Sequence, residues 1–264
     1  MEEEQSVFDF EDLRNLLSKG ERIDGRQLDE CRQVLVNRDS IANGTVLVKI
    51  GETAVICGLK TITRESEETQ DLIEFSVEFD NLSPKKSELR TDLQDSQRVT
   101  QLLKAIVSTT NLFDSQLLNA STGNFRWMLS AEIIALNNDG NLFDASLLAF
   151  LCALHDIRIP VVEFTEETSK IKYLDEFRQL KLLGIPVSTS FALFGDNHLL
   201  IDPNADEELA SSGFLSIIFD VMSQKIVSIE KRGGFSLDFN EMNKCIATAK
   251  KKAIEMKKLI LNEN

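Results

Sequence analysis

The sequence predicts an α+β fold in which mixed sheets pack against helices. Residues 73–79, IEFSVEF, alternate apolar and polar side chains, which is typical of a half-buried strand. Residues 93–107 instead carry apolar side chains at helical spacing, and residues 238–262 form a second, longer helical segment. Along the chain the order is β-rich, helix, strand, helix, β-rich, helix, which is typical of the α+β class.

Length and composition indicate a globular protein. The chain has 264 residues, enough for one large domain or two small ones with a substantial core. No apolar run reaches about 18 residues, so we expect no membrane span and no membrane partner. The acidic N-terminus, MEEEQSVFDFEDL, resembles neither a signal peptide nor a transit peptide, which favours the cytosol or the nucleus.

The first elements are a helix, a turn and a hairpin. Residues 6–19 have helical spacing, and Gly20 can end that helix in a left-handed conformation. Residues 22–26, RIDGR, form an Asp-Gly turn whose charged side chains we interpret as surface ion pairs. Residues 45–60 are the clearest hairpin, with a turn at Gly51-Glu52.

The middle of the chain reads as a strand, a turn and a helix, at 126–136, 137–146 and 147–154, followed by short strands at 161–164 and 169–173. The second half then predicts an antiparallel meander before the long helix. Its strands are expected at 186–194, 198–202, 213–220 and 225–231.

The cysteines and histidines do not indicate a metal site. Cys31, Cys57, Cys152 and Cys245 lie far apart without a CxxC pair, and we interpret them as buried free thiols. His155 and His198 are expected to be structural or at the surface. We therefore predict no metal and no cofactor.

Several segments, in this order and spacing, resemble the RNase PH-like subunits of the RNA exosome ring. They are RIDGR (22–26), ANGTVLVKIGETAVICGLK (42–60), FSVEFDNLSP (75–84), NDGNLFDAS (138–146), STSFALF (188–194) and LLIDPNADEE (199–208). The resemblance implies an RNase PH-like (ribosomal protein S5 domain 2-like) fold. It implies an N-terminal helix over residues 1–20 and a single domain over residues 21–264.

The resemblance is to ring subunits that usually lack phosphorolytic chemistry. Active members supply a small residue and an arginine in the loop equivalent to 140–143, which here reads GNLF. A helix N-terminus alone favours an anion by only ~0.3–1 kcal/mol, too little to replace a guanidinium. We therefore interpret Asp139-Gly140 as a chain-reversing turn and Asp144 as an N-terminal charge of the following helix.

The acid group of active members is also altered. They carry an aspartate pair, whereas here Asp202 is followed downstream by Ser211-Ser212-Gly213 in the second slot. A hydroxyl is a poor proton donor at neutral pH, so we predict no catalytic residues. The acidic run Asp206, Glu207 and Glu208 could hold magnesium weakly, but we favour a solvated acidic loop.

RNA contact is a separate question, because the net charge of −14 predicts weak RNA binding by the chain alone. Arg90, Arg98 and Arg126 are candidates for lining an RNA path. The alternative is that they are exposed, salt-bridging arginines.

The resemblance implies a non-catalytic structural subunit of the exosome core ring that supports 3′-to-5′ RNA processing and degradation. Its implied partners are other RNase PH-like ring subunits, S1/KH cap subunits, RNA in the assembled channel and a hydrolytic exoribonuclease. The implied location is the nucleus, including the nucleolus, and the cytoplasm. The alternative is an active phosphate-dependent 3′-to-5′ exoribonuclease.

Overall fold

The computed structural model describes residues 15–17, 19–38, 44–65, 72–79, 89–118, 125–165, 170–194 and 198–263. Besides the helical residues 15–17, these ranges contain four helices, which are α1 (Leu89–Thr109), α2 (Leu142–Asp156), α3 (Ala205–Ala210) and α4 (Phe239–Leu261). A short 3-10 helix spans Ser115–Leu118. The described residues contain no helix that is long and apolar enough to cross a membrane.

The first half of the chain forms a five-stranded mixed sheet. Its strands are β1 (Val34–Arg38), β2 (Thr45–Ile50), β3 (Thr53–Glu65), β4 (Ile73–Phe79) and β5 (Phe125–Asn137), in the order β1-β2-β3-β5-β4. Only the β4–β5 pair is parallel. The predicted 45–60 hairpin is confirmed, with Gly51 at φ 57° in its turn. Strand β1 was not predicted, because only five residues form it and none is fully buried.

The second half contributes two smaller sheets. Strands β6 (Arg158–Thr165) and β7 (Lys170–Gln179) pair with each other, and β8 (Pro186–Phe194), β9 (His198–Ile201), β10 (Gly213–Asp220) and β11 (Lys225–Gly233) form a four-stranded antiparallel sheet. Its order is β11-β10-β8-β9. The meander prediction is therefore wrong in one respect. The segment containing α3 carries the chain back across β8, so β10 pairs with β8 and not with β9.

Helix α2 lies in the core between the two large sheets. Every residue from Leu142 to Leu154 is buried, as expected of a helix that is apolar on nearly all sides. The helix packs against β2 and β3 on one side and against β8 and α4 on the other. The Phe150 ring meets Phe75 edge to face at a centroid distance of 4.9 Å. This packing therefore fixes the N-terminus of α2 between the first half and the second half of the chain.

Helix α4 confirms the predicted helix at 238–262, and both of its ends are satisfied. Asp238 and Glu241 form a capping box at the start. At the other end, Arg38 from β1 donates from Nη2 to the Leu259 and Ile260 carbonyls, at 2.6 and 2.8 Å. The carbonyls that a helix C-terminus leaves without partners are thus taken by a residue far away in the sequence.

Other sequence predictions are settled by burial and backbone conformation. The first helix ends as expected, with helical residues at 15–17 and Gly20 at φ 81°, whereas residues 6–14 lie outside the described residues. All four thiols are free, and all except the half-buried Cys31 are buried. Burial raises the pKa of Cys152 to about 12. His155 is half-buried with its Nδ1 2.9 Å from Asp156 Oδ1, and the His198 side chain lies outside the described residues.

Candidate functional site

The turn at 139–141 brings the start of α2 against the segment before α3. Gly140 has φ 77°, and a Cβ there would lie 2.5 Å from the Asn204 carbonyl carbon and 2.7 Å from the Ala205 nitrogen. Glycine is therefore required both by the left-handed backbone and by this approach. Thr53 Oγ1 donates to the Gly140 carbonyl at 2.7 Å. The predicted chain-reversing turn is confirmed.

The first amide of this helix start is occupied by a side chain of the same protein. Asn141 has φ 56° and makes no side-chain cap, but its main-chain N–H donates to Glu208 Oε1 at 2.7 Å. Burial raises the pKa of Glu208 to about 7, although the Asn141 N–H and nearby Arg98 oppose that shift. The following residues, Leu142 and Phe143, are buried in the core and offer no donor side chain. An internal carboxylate thus takes the position that suits an external anion.

Asp144 does more than place a charge at the helix N-terminus. It is 4% exposed and accepts from Ser188 Oγ at 2.6 Å and Ser190 Oγ at 2.8 Å, both on β8. Lys252 Nζ from α4 lies 3.1 Å from its Oδ2. Burial alone would lower the pKa of Lys252, but the charges of Asp144, Cys31 and Asp202 and the bond to Asp144 together outweigh it and hold that pKa above its ordinary value. Asp144 therefore joins α2, β8 and α4.

Asp202 is fully buried and held as an anion. Arg32 donates to it from Nε at 3.1 Å and from Nη2 at 2.9 Å, and Asn141 Nδ2 donates at 2.6 Å. Burial would raise the pKa of Asp202, but the bonds and charges of Arg32, Lys252 and Asn141 together hold it far below its usual range. A carboxylate in this state cannot give a proton to a leaving oxygen at neutral pH.

Two local predictions are wrong for one reason, a long-range ion pair. Arg22 is 5% exposed and Glu207 is 1% exposed, and they bond through two contacts of 2.9 and 2.7 Å. The RIDGR segment is therefore not a turn with surface ion pairs only. The acidic run at 206–208 is part of α3, with Asn204 and Glu207 forming its capping box, and is not a solvated loop. These partners are 185 residues apart, which no local pattern reveals.

The two serine hydroxyls that follow α3 also form bonds within the chain. Ser211 Oγ donates to the Glu208 carbonyl at 2.8 Å, and Ser212 Oγ donates to the Leu193 carbonyl at 2.9 Å. Asp206 is exposed, whereas Glu207 and Glu208 bond to different partners. Across the described ranges, no group of three His, Cys, Asp or Glu side chains is arranged to hold a metal ion.

The structure places the three candidate RNA-contacting arginines on two elements. Arg98, on α1, has a side chain 25% exposed and lies 3.8 Å from both an Asp95 and a Glu230 carboxylate oxygen. Arg126 is half-buried near the start of β5, and its Nε is buried without a hydrogen-bond partner among the described residues. Arg90 lies in the first turn of α1, and its side chain is outside the described residues. Their RNA contact stays a prediction.

Sequence reasoning missed Arg32, Asn141 and Lys252, which complete this cluster. Arg32 meets Asp202 across 170 residues, so no local signal points to it. Lys252 could have been found. It follows Cys245 by seven residues and Ala249 by three, which places it on the buried face of α4.

Known proteins resemble this chain in both sequence and fold. The family described as "3′ exoribonuclease family" matches residues 30–160 with its domain 1 and residues 184–252 with its domain 2. The exosome complex component Rrp42 of Thermococcus gammatolerans is 33% identical over 256 residues, which cover 94% of this chain and 92% of that protein. The exosome complex component rrp43 of Schizosaccharomyces pombe is 31% identical over 246 residues, covering 91% and 90%.

Solved structures of exosome subunits also resemble this chain. A chain of an archaeal exosome core superimposes with a TM-score of 0.76 at 28% identity and covers 95% of each chain. A chain of the Archaeoglobus fulgidus exosome, with RNA bound to the active site of that protein, gives 0.77 at 26% identity over 94% of this chain and 96% of its own. Rice Rrp46 shares the fold alone, with a TM-score of 0.62 at 15% identity.

These matches define the class of fold as RNase PH-like, as the sequence predicts. The chain belongs to the 3′ exoribonuclease family, across both of that family's domains.

Proposed function

We propose that this protein is a non-catalytic structural subunit of an exosome core ring, where it forms part of the channel through which RNA reaches an associated nuclease. The observation that carries the proposal is the contact between Glu208 and the Asn141 amide. Phosphorolysis must bring inorganic phosphate beside a second phosphate in RNA, which requires cationic and amide donors without internal partners. Here the amide at the helix start already holds a carboxylate.

The cations around the turn support the same proposal. Arg22, Arg32 and Lys252 each bond to a buried carboxylate of the same chain. Releasing any of them to a phosphate would remove the nearest cation from a buried carboxylate, and breaking such a buried pair costs up to ~3–5 kcal/mol. The charged groups of this region are therefore paired largely with one another, although Arg26 Nη2 and Asn141 Oδ1 are buried without a hydrogen-bond partner among the described residues.

The alternative function is that of a phosphate-dependent 3′-to-5′ exoribonuclease. It is favoured by the family description and by the similarity to a chain of an exosome that has RNA bound to its active site. The two proposals differ in one product, because phosphorolysis releases nucleoside diphosphates. We expect the purified chain, incubated with single-stranded RNA and phosphate, to release none above the background of a D202N variant. Phosphate-dependent shortening that is lost in D202N would establish the enzyme instead.

The ring part of the proposal rests on apolar residues left on the outer face of the five-stranded sheet. Leu35, Ile62, Ile134 and Leu136 are 53%, 39%, 38% and 42% exposed, and we call them the outer-sheet patch. The exposed Lys60–Glu132 ion pair lies on the same face between Ile62 and Ile134. Permanent interfaces are large and rather apolar, so this patch suits a neighbouring RNase PH-like subunit. We expect co-expression with such a subunit to raise solubility and melting temperature. A well-behaved monomer that no ring subunit affects would contradict this.

The proposed setting includes S1/KH cap subunits, a hydrolytic exoribonuclease, and a location in the nucleus, nucleolus and cytoplasm. The names of the Thermococcus and Schizosaccharomyces relatives as exosome components support it. We also propose that residues 21–264 act as one unit, because α2 packs against strands from both halves. Limited proteolysis should then leave a single core fragment, and separate stable halves would contradict it.

A further inference from the structure

The outer side of α4 carries a concentration of positive charge that the rest of the protein lacks. The helix contains six lysines and two glutamates, in a chain whose net charge is −14. The KKK run at 250–252 divides between two faces, because Lys252 turns inward to Asp144 while Lys250 and Lys251 are exposed. The outer lysine face consists of Lys244, Lys250, Lys251, Lys257 and Lys258.

Helical geometry arranges these side chains in two rows. Lys244, Lys251 and Lys258 follow one another at seven-residue intervals, which is a rise of about 10.5 Å each. Lys250 and Lys257 form the second row, about 100° around the helix axis from the first. Ala247 and Ile254 lie between the rows, and both are exposed. The rows therefore flank a shallow, weakly apolar strip along the helix.

Among the described residues, only Lys250 of the five lysines has an ammonium contact within the fold, with its Nζ 6.0 Å from the centre of the Phe219 ring. None lies within 4 Å of a carboxylate among the residues that the structure describes. The helix C-terminus does not need Lys257 or Lys258, because Arg38 takes the Leu259 and Ile260 carbonyls and the Asn262 N–H bonds back to the last turn. Lysines on a surface helix usually alternate with acidic residues, whereas Glu255 is the only one in this stretch.

We propose that the outer lysine face binds the phosphodiester backbone of single-stranded RNA, as a second RNA contact beside the path considered for Arg98 and Arg126. Flexible ammonium groups act as point charges that neutralise phosphates without reading bases. An acidic helix of another protein fits less well. Ile254 is the only large exposed apolar side chain between the rows, and helix pairing needs a seam sustained over about three to four heptads.

The test is fluorescence anisotropy of a labelled 20-nucleotide oligo(A) with the full chain over a range of low salt concentrations. For single strands, the logarithm of the binding constant falls with the logarithm of salt by about 0.7 for each phosphate neutralised. Lys244→Gln/Lys251→Gln/Lys258→Gln should therefore reduce the slope by about 2 and weaken binding at least about tenfold at 50 mM salt. The control, Lys104→Gln/Lys181→Gln/Lys225→Gln, removes the same charge from exposed lysines outside α4 and should bind nearly as wild type.

Three results would overturn the proposal. Equal weakening in both triple variants would mean that only net charge matters. No detectable binding by the wild-type chain at the lowest salt would exclude the site. A polyglutamate peptide that displaces the RNA, binds more tightly and depends on the same lysines would assign the face to an acidic protein. None of these results bears on phosphorolysis, so the proposed structural function is tested separately.

Discussion

The start of α2 and the outer-sheet patch differ in the chemistry and exposure of their side chains. Around the turn, Arg22, Arg32 and Lys252 are buried charges, and each has found a partner within the chain. On the outer sheet, Leu35 and Ile134 are apolar side chains left in solvent. The charged side chains of the first region are paired with one another, whereas the apolar side chains of the second region are partly exposed. The first region therefore supports the proposal that this chain is non-catalytic, and the second supports the proposal that it has an interface.

The largest expected effect comes from breaking a buried ion pair. Arg22→Met leaves Glu207 buried without its guanidinium, which should lower the free energy of unfolding by ~3–5 kcal/mol in a urea titration. The double variant Arg22→Met/Glu207→Leu should recover part of the loss, because Glu207 no longer leaves a buried charge, whereas the bonds from Arg22 to three carbonyls stay broken. A double variant as unstable as the single one would show that the pair is not the cause.

The turn glycine is expected to have the next largest effect. Gly140→Ala places a Cβ against the main chain of Asn204 and Ala205 and also forces alanine into a left-handed conformation. Together these should cost about 2–4 kcal/mol of the free energy of unfolding. Gly25→Ala is the matched control, since Gly25 has φ 79° with nothing within 4 Å, and it should cost only ~1–2 kcal/mol. Equal losses would remove the argument from close approach.

Glu208 should make stability depend on pH in a defined direction. Its folded-state pKa, about 7, lies above the ordinary value of 4.5, so its contribution is fully present below about pH 4.5 and is lost as pH rises through 7. Between pH 5 and pH 8 the wild type should therefore lose about 2 kcal/mol relative to Glu208→Gln, in which the amide can still bond. The control Asp206→Asn, at the exposed neighbour, should leave the profile unchanged.

Asp202 acts in the opposite sense at lower pH. Its pKa is held below the usual 3.8, so the stability it contributes is present above that value and is lost as pH falls through the folded-state pKa. For Glu208, the contradicting result would be a Glu208→Gln variant whose free energy of unfolding still falls between pH 5 and pH 8 as much as that of the wild type.

The smallest expected effect on unfolding is at the outer-sheet patch. Ile134→Glu should lower the free energy of unfolding by about 1 kcal/mol or less, because Ile134 is 38% exposed and lies outside the core. The same change should abolish co-purification with an RNase PH-like ring subunit, since it buries a charge in an apolar interface. Ser76→Glu, an exposed position on neighbouring β4, is the control. Retained assembly of Ile134→Glu would move the proposed interface elsewhere.

Local patterns predicted most elements because their periodicity is local. Strands β8 and β10 have the predicted bounds, and β4 shows the predicted alternation of buried and exposed residues. The absence of an arginine in the 140–143 loop was also readable directly. The strand order could not be predicted locally, because the pairing of β10 with β8 depends on where the α3 segment packs.

The charge cluster could not be predicted for a related reason. Whether Arg22 is a surface or a buried residue depends on Glu207, which the fold supplies from the far end of the chain. Sequence patterns report the average environment of a residue type, and arginine and glutamate are usually exposed. Buried pairs are exceptions that only the tertiary structure identifies.

The hydrogen bonds from Arg38 to the last turn of α4 affect the order in which the chain can fold during translation. The residues that it joins, Arg38 and Ile260, are 222 positions apart. At about 5–20 residues per second, a ribosome needs about 10–45 s to travel between them. During that time β1 is already outside the ribosome but cannot close onto the C-terminal helix. We therefore expect β1 to reach its final packing only after Ile260 has been synthesised.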